Sequence, residues 1–290
     1  MNTTATHPHD HNVGGGRIVT LLGTDAAGKD TVATALCTRI EQLGGKAENM
    51  ARRTYLLDQP AGHAADLNRT LYDGALRAFY SGALTHNGTE LAAEMPSTGD
   101  LRDRTLEQRL AGSEITRNDP RTMLTSAVTE IAGAMAYWQT VLHPRAAETG
   151  NVLVDSCHLI RSVIKTCAIV QHHCGPGSLL HRQAEQTMDT AATLLRPTSG
   201  LVVPVVLRVR PEVAYERRTA QFGRLGPLEH YGAVGGYATR EAFLDLQHRV
   251  QRELDERVCA DWRCVVVDMN GDVSWPAAVD QILADGRMRP

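Results

Sequence analysis

Two glycines, one lysine and two carboxylates fall together in Gly23-Thr24-Asp25-Ala26-Ala27-Gly28-Lys29-Asp30-Thr31. Small residues let consecutive backbone N–H groups curl around an anion, and a helix that begins there aims its positive end at the same point. Lys29 adds a mobile full charge. The spacing G-x-x-x-x-G-K is that of a phosphate-binding loop, with Asp30 in the slot where Ser or Thr normally reaches Mg²⁺, followed by Thr31. An anion in that slot repels phosphate unless a metal lies between, so Asp30 implies an altered or water-mediated Mg²⁺ contact. On this reading Gly23, Asp25, Ala26, Ala27, Gly28, Lys29, Asp30 and Thr31 form the cradle of a nucleotide cofactor.

Of the thirty Lys and Arg residues only Lys29, Lys46 and Lys165 are lysines. Where arginine has so largely replaced lysine, a lysine kept at the motif position points to a need for a compact, mobile ammonium. A second carboxylate suited to Mg²⁺ is Asp155, delivered by the apolar run Val152-Leu153-Val154, which has the form of a second nucleotide signature. Arg217, Arg218 and Arg224 lead into a glycine-rich segment; positioned cations and a closing segment are what phosphoryl transfer asks of a protein. Cys157, His158, Cys167, His172, His173 and Cys174 suggest zinc, but no C-x-x-C pair occurs and a helix would spread them around its circumference.

The elements that must position these groups follow from the apolar pattern. Ile18 to Leu22 is an apolar run ahead of the loop, and Val32, Ala33, Leu36, Ile40 and Leu43 recur at helical spacing until Gly44-Gly45. Lys46 to Ala51 reads as a short strand with Arg52 and Arg53 just beyond its end, where open α/β sheets bind ligands. Residues 54 to 121 read as an inserted helical lobe, with helices over Ala64 to Tyr80 and Leu101 to Leu110 around a loop from Gly82 to Gly99. A long helix over Arg121 to Thr149 precedes the strand Asn151 to Asp155. Ser156 to Gln171 and Leu179 to Leu195 read as helices. Leu201 to Val209 is a strand in which Pro204 removes a ladder donor. Pro211 to Phe222 is helical, with proline in its first turn. Residues 223 to 236 hold five glycines and read as a flexible lid. Thr239 to Val258 is helix, Cys264 to Asp268 strand and Ser274 to Leu283 helix. Strands alternating with helices imply a parallel sheet covered on both faces.

Composition narrows the classes of function. A chain of 290 residues with net charge −3 and pI about 6.5 has no general basic surface for nucleic acid or anionic membrane. No apolar run approaches a membrane span, and six cysteines are too sparse for a disulfide framework, so a cytoplasmic protein with reduced thiols is expected. Residues 1 to 16, with His7, His9, His11 and a glycine run, read as a mobile tail.

These residues resemble nucleoside monophosphate kinases of the thymidylate kinase type. The likeness runs from Arg17 to Leu283 outside the insertion. It is carried by G-T-D-A-A-G-K-D-T at 23–31, by Val141 to Pro144 followed by Gly150 and the strand to Asp155, by Pro211 to Arg217, and by Val265 to Asp268. It implies a P-loop NTPase-type three-layer sandwich with a five-stranded parallel sheet, helices on both faces and the helical insertion serving as the acceptor lobe. It implies ATP and Mg²⁺ as cofactors and a small nucleotide as substrate; a homodimer is compatible with it. It implies that Asp25 contacts the acceptor sugar, that Arg52 or Arg53 holds the acceptor phosphate, and that Arg217, Arg218 and Arg224 close over the transferred group beside Lys29.

The chain also departs from the family. Where the family has Asp-Arg-Tyr/His, it has Asp155-Ser156-Cys157; a second family arginine falls near Ala134, and the thymine-binding Tyr-Gln pair falls at Ile164-Lys165. Arg161 and Lys165, one helical turn apart, restore positive charge there and complete the expected acceptor set of Asp25, Arg52, Arg53, Arg161 and Lys165. The donor site is kept and the acceptor site rebuilt, which points to a modified nucleotide or another small phosphorylated acceptor. Two rivals remain open. The stretch D-A-A-G-K-D is closer to the second family of polyphosphate kinases, and the missing arginines also suit a nucleotide-binding regulator descended from a kinase.

Overall fold

The computed structural model describes residues 16–58, 62–85, 88, 90, 115–117, 119–156, 158–226, 229–231, 239–270 and 275–288. The expected tail through position 15, the helix over Leu101 to Leu110, most of the loop from Gly82 to Gly99, Cys157 and much of the expected lid lie outside the described residues.

Five parallel strands make the central sheet: β1 (Arg17–Gly23), β2 (Ala47–Asn49), β5 (Val152–Asp155), β6 (Val202–Arg208) and β7 (Val265–Asp268), in the order β2-β5-β1-β6-β7. β1 lies at the centre, so its apolar run is buried on both sides. Alternation divides it: Val19 and Leu21 face one layer, Ile18 and Leu22 the other. The first layer holds α1 (Lys29–Gln42) and the last helix, α10 (Trp275–Leu283), packed through Val32, Ala33, Leu36, Ala278, Val279 and Ile282. The opposite layer holds α3 (His63–Tyr80), α4 (Pro120–Tyr137), α6 (Ile160–His173), α7 (Leu179–Leu194) and α9 (Arg240–Leu254). The expected α/β sandwich, with its five parallel strands, is therefore the architecture observed.

Several boundaries differ from expectation for physical reasons. The long helix expected from Arg121 is interrupted by a π turn over Trp138–Leu142 before it resumes as α5 (His143–Thr149). α6 begins at Ile160, not Ser156, because His158 turns its ring back and Nδ1 accepts the Ile160 N–H at 3.1 Å. α8 (Pro211–Phe222) matches its expected limits and ends on Gly223, whose φ of +73° is the left-handed cap glycine permits. Pro204 takes no donor from the ladder. Ile18 N–H reaches the Leu201 carbonyl, so alternation points the Pro204 nitrogen away from β1 toward β7, whose pairing begins only at Val205.

The inserted lobe is not wholly helical. After α2 (Arg52–Asp58) and α3, the short strands β3 (Leu84–Thr85) and β4 (Ile115–Arg117) pair antiparallel. α3 is held on α4 by Ser126 Oγ, which donates to the Ala75 carbonyl at 2.7 Å, and by the mutual packing of Phe79, Tyr80, Met123 and Ala127.

Candidate functional site

The loop between β1 and α1 has the backbone that its residues suggest. Gly23 has φ +142°, Ala26 +54° and Gly28 +89°. At Gly23 a Cβ would stand 2.6 Å from the Leu207 carbonyl oxygen, so the loop leaves the sheet at a point where only glycine fits against β6. At Gly28 a Cβ would stand 2.6 Å from the Trp275 ring, which α10 lays against the loop. Ala26 adopts the left-handed region without being glycine, a cost typical of ligand-gripping turns. Gly28 caps α1 without a side-chain bond, leaving the first-turn N–H groups of α1 directed out of the helix. Lys29 folds over the loop and donates from Nζ to the carbonyls of Gly23 (3.1 Å) and Thr24 (2.7 Å). Asp30 and Thr31 are exposed at the start of α1.

Asp155 ends β5 beside β1, where Thr20 Oγ1 donates to its Oδ2 at 3.1 Å. It is almost fully buried. Asp155 and the Lys29 loop thus leave the sheet at the C-terminal ends of neighbouring strands, the side on which open α/β sheets take ligands.

Beside the loop lies a charged cluster built from distant segments. Asp25 accepts from Arg161 Nη1 at 2.6 Å and from Lys165 Nζ at 3.0 and 3.2 Å, both on α6. It also accepts from Gln247 Nε2 on α9 at 3.1 Å. Burial alone would raise the Asp25 carboxyl; Lys165, Arg161 and Lys29 outweigh it and hold the group well below the usual carboxylate range. Burial pulls the Lys165 ammonium down while Asp25 pulls it back up. With one anion facing three cations, the carboxylate is the member whose charge is secured.

Arg52 opens α2 and is 4% exposed. Its Nη1 donates to Glu130 Oε2 at 3.2 Å, and its guanidinium lies 5.3 Å from the Tyr72 ring centroid. Nε and Nη2 have no hydrogen-bond partner among the described residues. Gly133 on α4 makes the room, because a Cβ there would stand 2.5 Å from Arg52 Nη2. Burial raises Glu130 above the ordinary carboxylate value, opposed by Arg52 and Arg161. Arg53 is half-buried next to it.

The structure therefore gathers Asp25, Arg161 and Lys165 into one contact set with the loop, and pairs Arg52 with Glu130, whose carboxylate also feels the charge of Arg161. The arginines of α8 are placed differently. Arg217 donates from Nη2 to the Met269 carbonyl (3.0 Å) beyond β7. Arg218 pairs with Glu229 at 2.5 Å and lies 4.1 Å from the Phe222 ring centroid, while Arg224 is exposed. The described part of the expected flexible lid is anchored: Tyr231 is buried, bonds Asp245 through its hydroxyl and stacks on His172 at 3.7 Å.

Of the residues that suggest zinc, the described ones are taken up by packing and by other contacts. His158 is buried between Trp138 and Trp262, with centroids 5.2 and 5.3 Å away, and burial drags its pKa down to about 3. Cys167 lies in the core, His172 stacks on Tyr231 and His173 bonds the Tyr231 carbonyl. Among the described residues no three His, Cys, Asp or Glu side chains gather as a metal group.

Gln247, Glu130, Gly133 and Trp275 are not among the residues that local spacing singles out. A signal existed for two of them. Gln247 is a polar residue on the apolar stripe of Phe243, Leu246 and Val250, and Gly133 is a glycine inside a long helix, which marks a close approach.

No family model matches the chain, and no curated protein matches it in sequence. Among solved structures it is similar to a thymidylate kinase from Candida albicans, at 14% identity over 92% of this chain and 89% of that one, with a TM-score of 0.48. It is also similar to deoxyadenosine kinase from M. mycoides with bound dATP, at 12% identity over 92% and 97% of the two chains, with a TM-score of 0.44. No helix among the described residues is long and apolar enough to cross a membrane.

Proposed function

We propose that this chain is an ATP- and Mg²⁺-dependent phosphotransferase of the nucleoside monophosphate kinase type. In this reading the γ-phosphoryl group goes to a nucleoside monophosphate or a modified nucleotide. The observation that carries the reading is the loop itself: three positive φ angles, an open helix start and Lys29 folded over its carbonyls, with a cationic cluster alongside. The residues fit the cofactor. Glycine at 23 and 28 lets the loop turn tightly against β6 and Trp275 so that its backbone N–H groups can face a phosphate, and Lys29 would turn toward it from the Gly23 and Thr24 carbonyls. Asp155 and Asp30 would hold Mg²⁺ from the β5 end and the α1 start. Bound MgATP supplies the phosphoryl group and the charge neutralisation for its transfer.

The chain's own side chains do the rest. Lys29 stabilises charge that develops on the transferred group. Arg52, with two guanidinium donors unpartnered among the described residues, binds the acceptor's anionic end. Arg161 and Lys165 supply further positive charge, held in place by Asp25. In this reading Arg217, Arg218 and Arg224, in α8 and just beyond it, add positive charge toward the transferred group.

The test is a screen of nucleoside monophosphates with ATP and Mg²⁺, run beside calorimetry for ATP binding. Turnover of at least one acceptor is expected. Polyphosphate replacing ATP as donor would select the polyphosphate kinase reading, and ATP binding with no turnover on any acceptor would select a regulator.

A further inference from the structure

α9 turns Phe243, Leu246, Val250 and Leu254 to the core, and Gln247 stands on the same stripe with no exposed surface. A primary amide carries a donor end and an acceptor end, and when buried it needs both satisfied. Gln247 satisfies both on one residue. Its Oε1 accepts the Asp25 N–H at 3.0 Å, and its Nε2 donates to Asp25 Oδ2 at 3.1 Å. Arg161 bonds Oδ1 and Lys165 bonds both oxygens. A carboxylate offers about four acceptor positions. These bonds occupy them, so Asp25 has little left for the hydroxyl of a bound acceptor while the set stands.

We infer that Gln247 is a positioning residue: it locks the peptide and the carboxylate of Asp25 together, and through that carboxylate aims Arg161 and Lys165 at the acceptor. The inference rests on the phosphotransfer reading and goes beyond it, since it gives Asp25 an internal task and ties the loop to a helix more than two hundred residues away in sequence. Groups reach Asp25 from three elements: Lys29 from its own loop, Arg161 and Lys165 from α6, and Gln247 from α9. Gln247 bonds the backbone as well as the side chain of Asp25. A side chain of the same length without polar ends fills the space and holds neither.

The test uses the full chain with Gln247→Leu and, should that variant fold poorly, Gln247→Met. Backbone hydrogen exchange over residues 24 to 29 is measured without ligand, and ATP affinity by calorimetry. Exchange about tenfold faster and ATP binding about tenfold weaker are expected, as for loss of roughly one charged hydrogen bond. Val250→Ala on the same helix is the control: it removes buried methyls, so its melting temperature should fall while exchange at the loop and ATP affinity stay within twofold. The inference is overturned if the Gln247 variants stay within twofold of the native chain on both measures, or if Val250→Ala moves both as far. Should the native chain bind no ATP, the phosphotransfer reading falls, and exchange at the loop alone decides whether Gln247 holds it.

Discussion

The proposed donor side and the proposed acceptor side of this site are built in opposite ways. The proposed donor side is nine consecutive residues that act chiefly through their backbone, and its cation bonds within that stretch: Lys29 donates to the carbonyls of Gly23 and Thr24. The proposed acceptor side draws side chains from α2, α4, α6 and α9: Arg52 pairs with Glu130, 78 positions away, and Asp25 with Arg161 and Lys165, 136 and 140 positions away. A local, backbone-built site survives changes in the rest of the chain. A side-chain site of long reach is free to change its ligand when any contributing helix does.

That contrast is sharpest at Asp25, which belongs to both sides. Asp25→Ala leaves Arg161 and Lys165 buried without their anion, and a loss of about 3–5 kcal/mol of stability is expected from denaturant unfolding. The sign with pH follows from its depressed carboxyl: its contribution is present above about pH 4 and is lost as pH falls toward its folded value. An Asp25→Ala protein as stable as the native one would dissolve the distinction. Lys29→Ala should act chiefly on the donor side, raising the barrier to transfer by roughly 3–4 kcal/mol while its lost bonds to the loop carbonyls lower the melting temperature less than Asp25→Ala does. An undiminished rate would remove Lys29 from the chemistry.

The third prediction concerns the segment after β5, where the resemblance leads one to expect an arginine. Ser156 and His158 are instead buried there, and His158 packs between two tryptophans. Its folded pKa of about 3 lies below its unfolded value near 6.5, so the unfolded chain binds the extra proton between them and stability falls on acidification through that window. At pH 5 the cost is about 2 kcal/mol, and His158→Phe should flatten the fall between pH 7 and 5 in a thermal-melt series. An unchanged slope would mean that this ring is not what acid attacks. The smallest effect on stability belongs to Gly133→Ala. Helix propensity alone would raise stability by up to about 1 kcal/mol, yet the new Cβ must displace Arg52. The acceptor KM should rise several-fold without loss of melting temperature, and equal KM values would take Arg52 out of acceptor binding.

The same contrast governs what could be read before the structure. The loop, the strands of the sheet and α8 follow from local spacing and from glycine or proline at their ends, so their limits fall close to expectation. β3 and β4 are too short to leave a periodic pattern, and α6 starts late because a histidine ring, not a serine, receives its first N–H. Asp25, Arg52, Arg161 and Lys165 were legible as charges at promising positions. Their partners were not: Glu130 and Gln247 become visible only when helices from distant segments are packed together.

The π turn over Trp138–Leu142 has a consequence for how the rod of α4 and α5 meets the sheet. A π turn holds one residue more than an α turn, so everything after it is rotated by about 100° relative to an uninterrupted helix. That rotation brings Ala146 under Gly16, whose N–H donates to its carbonyl, and swings Arg145 onto Glu48 of the edge strand. Deleting one residue from 138–142 would restore the unbroken α phase and turn both handholds away from the sheet, while the half of the rod up to Tyr137 kept its phase.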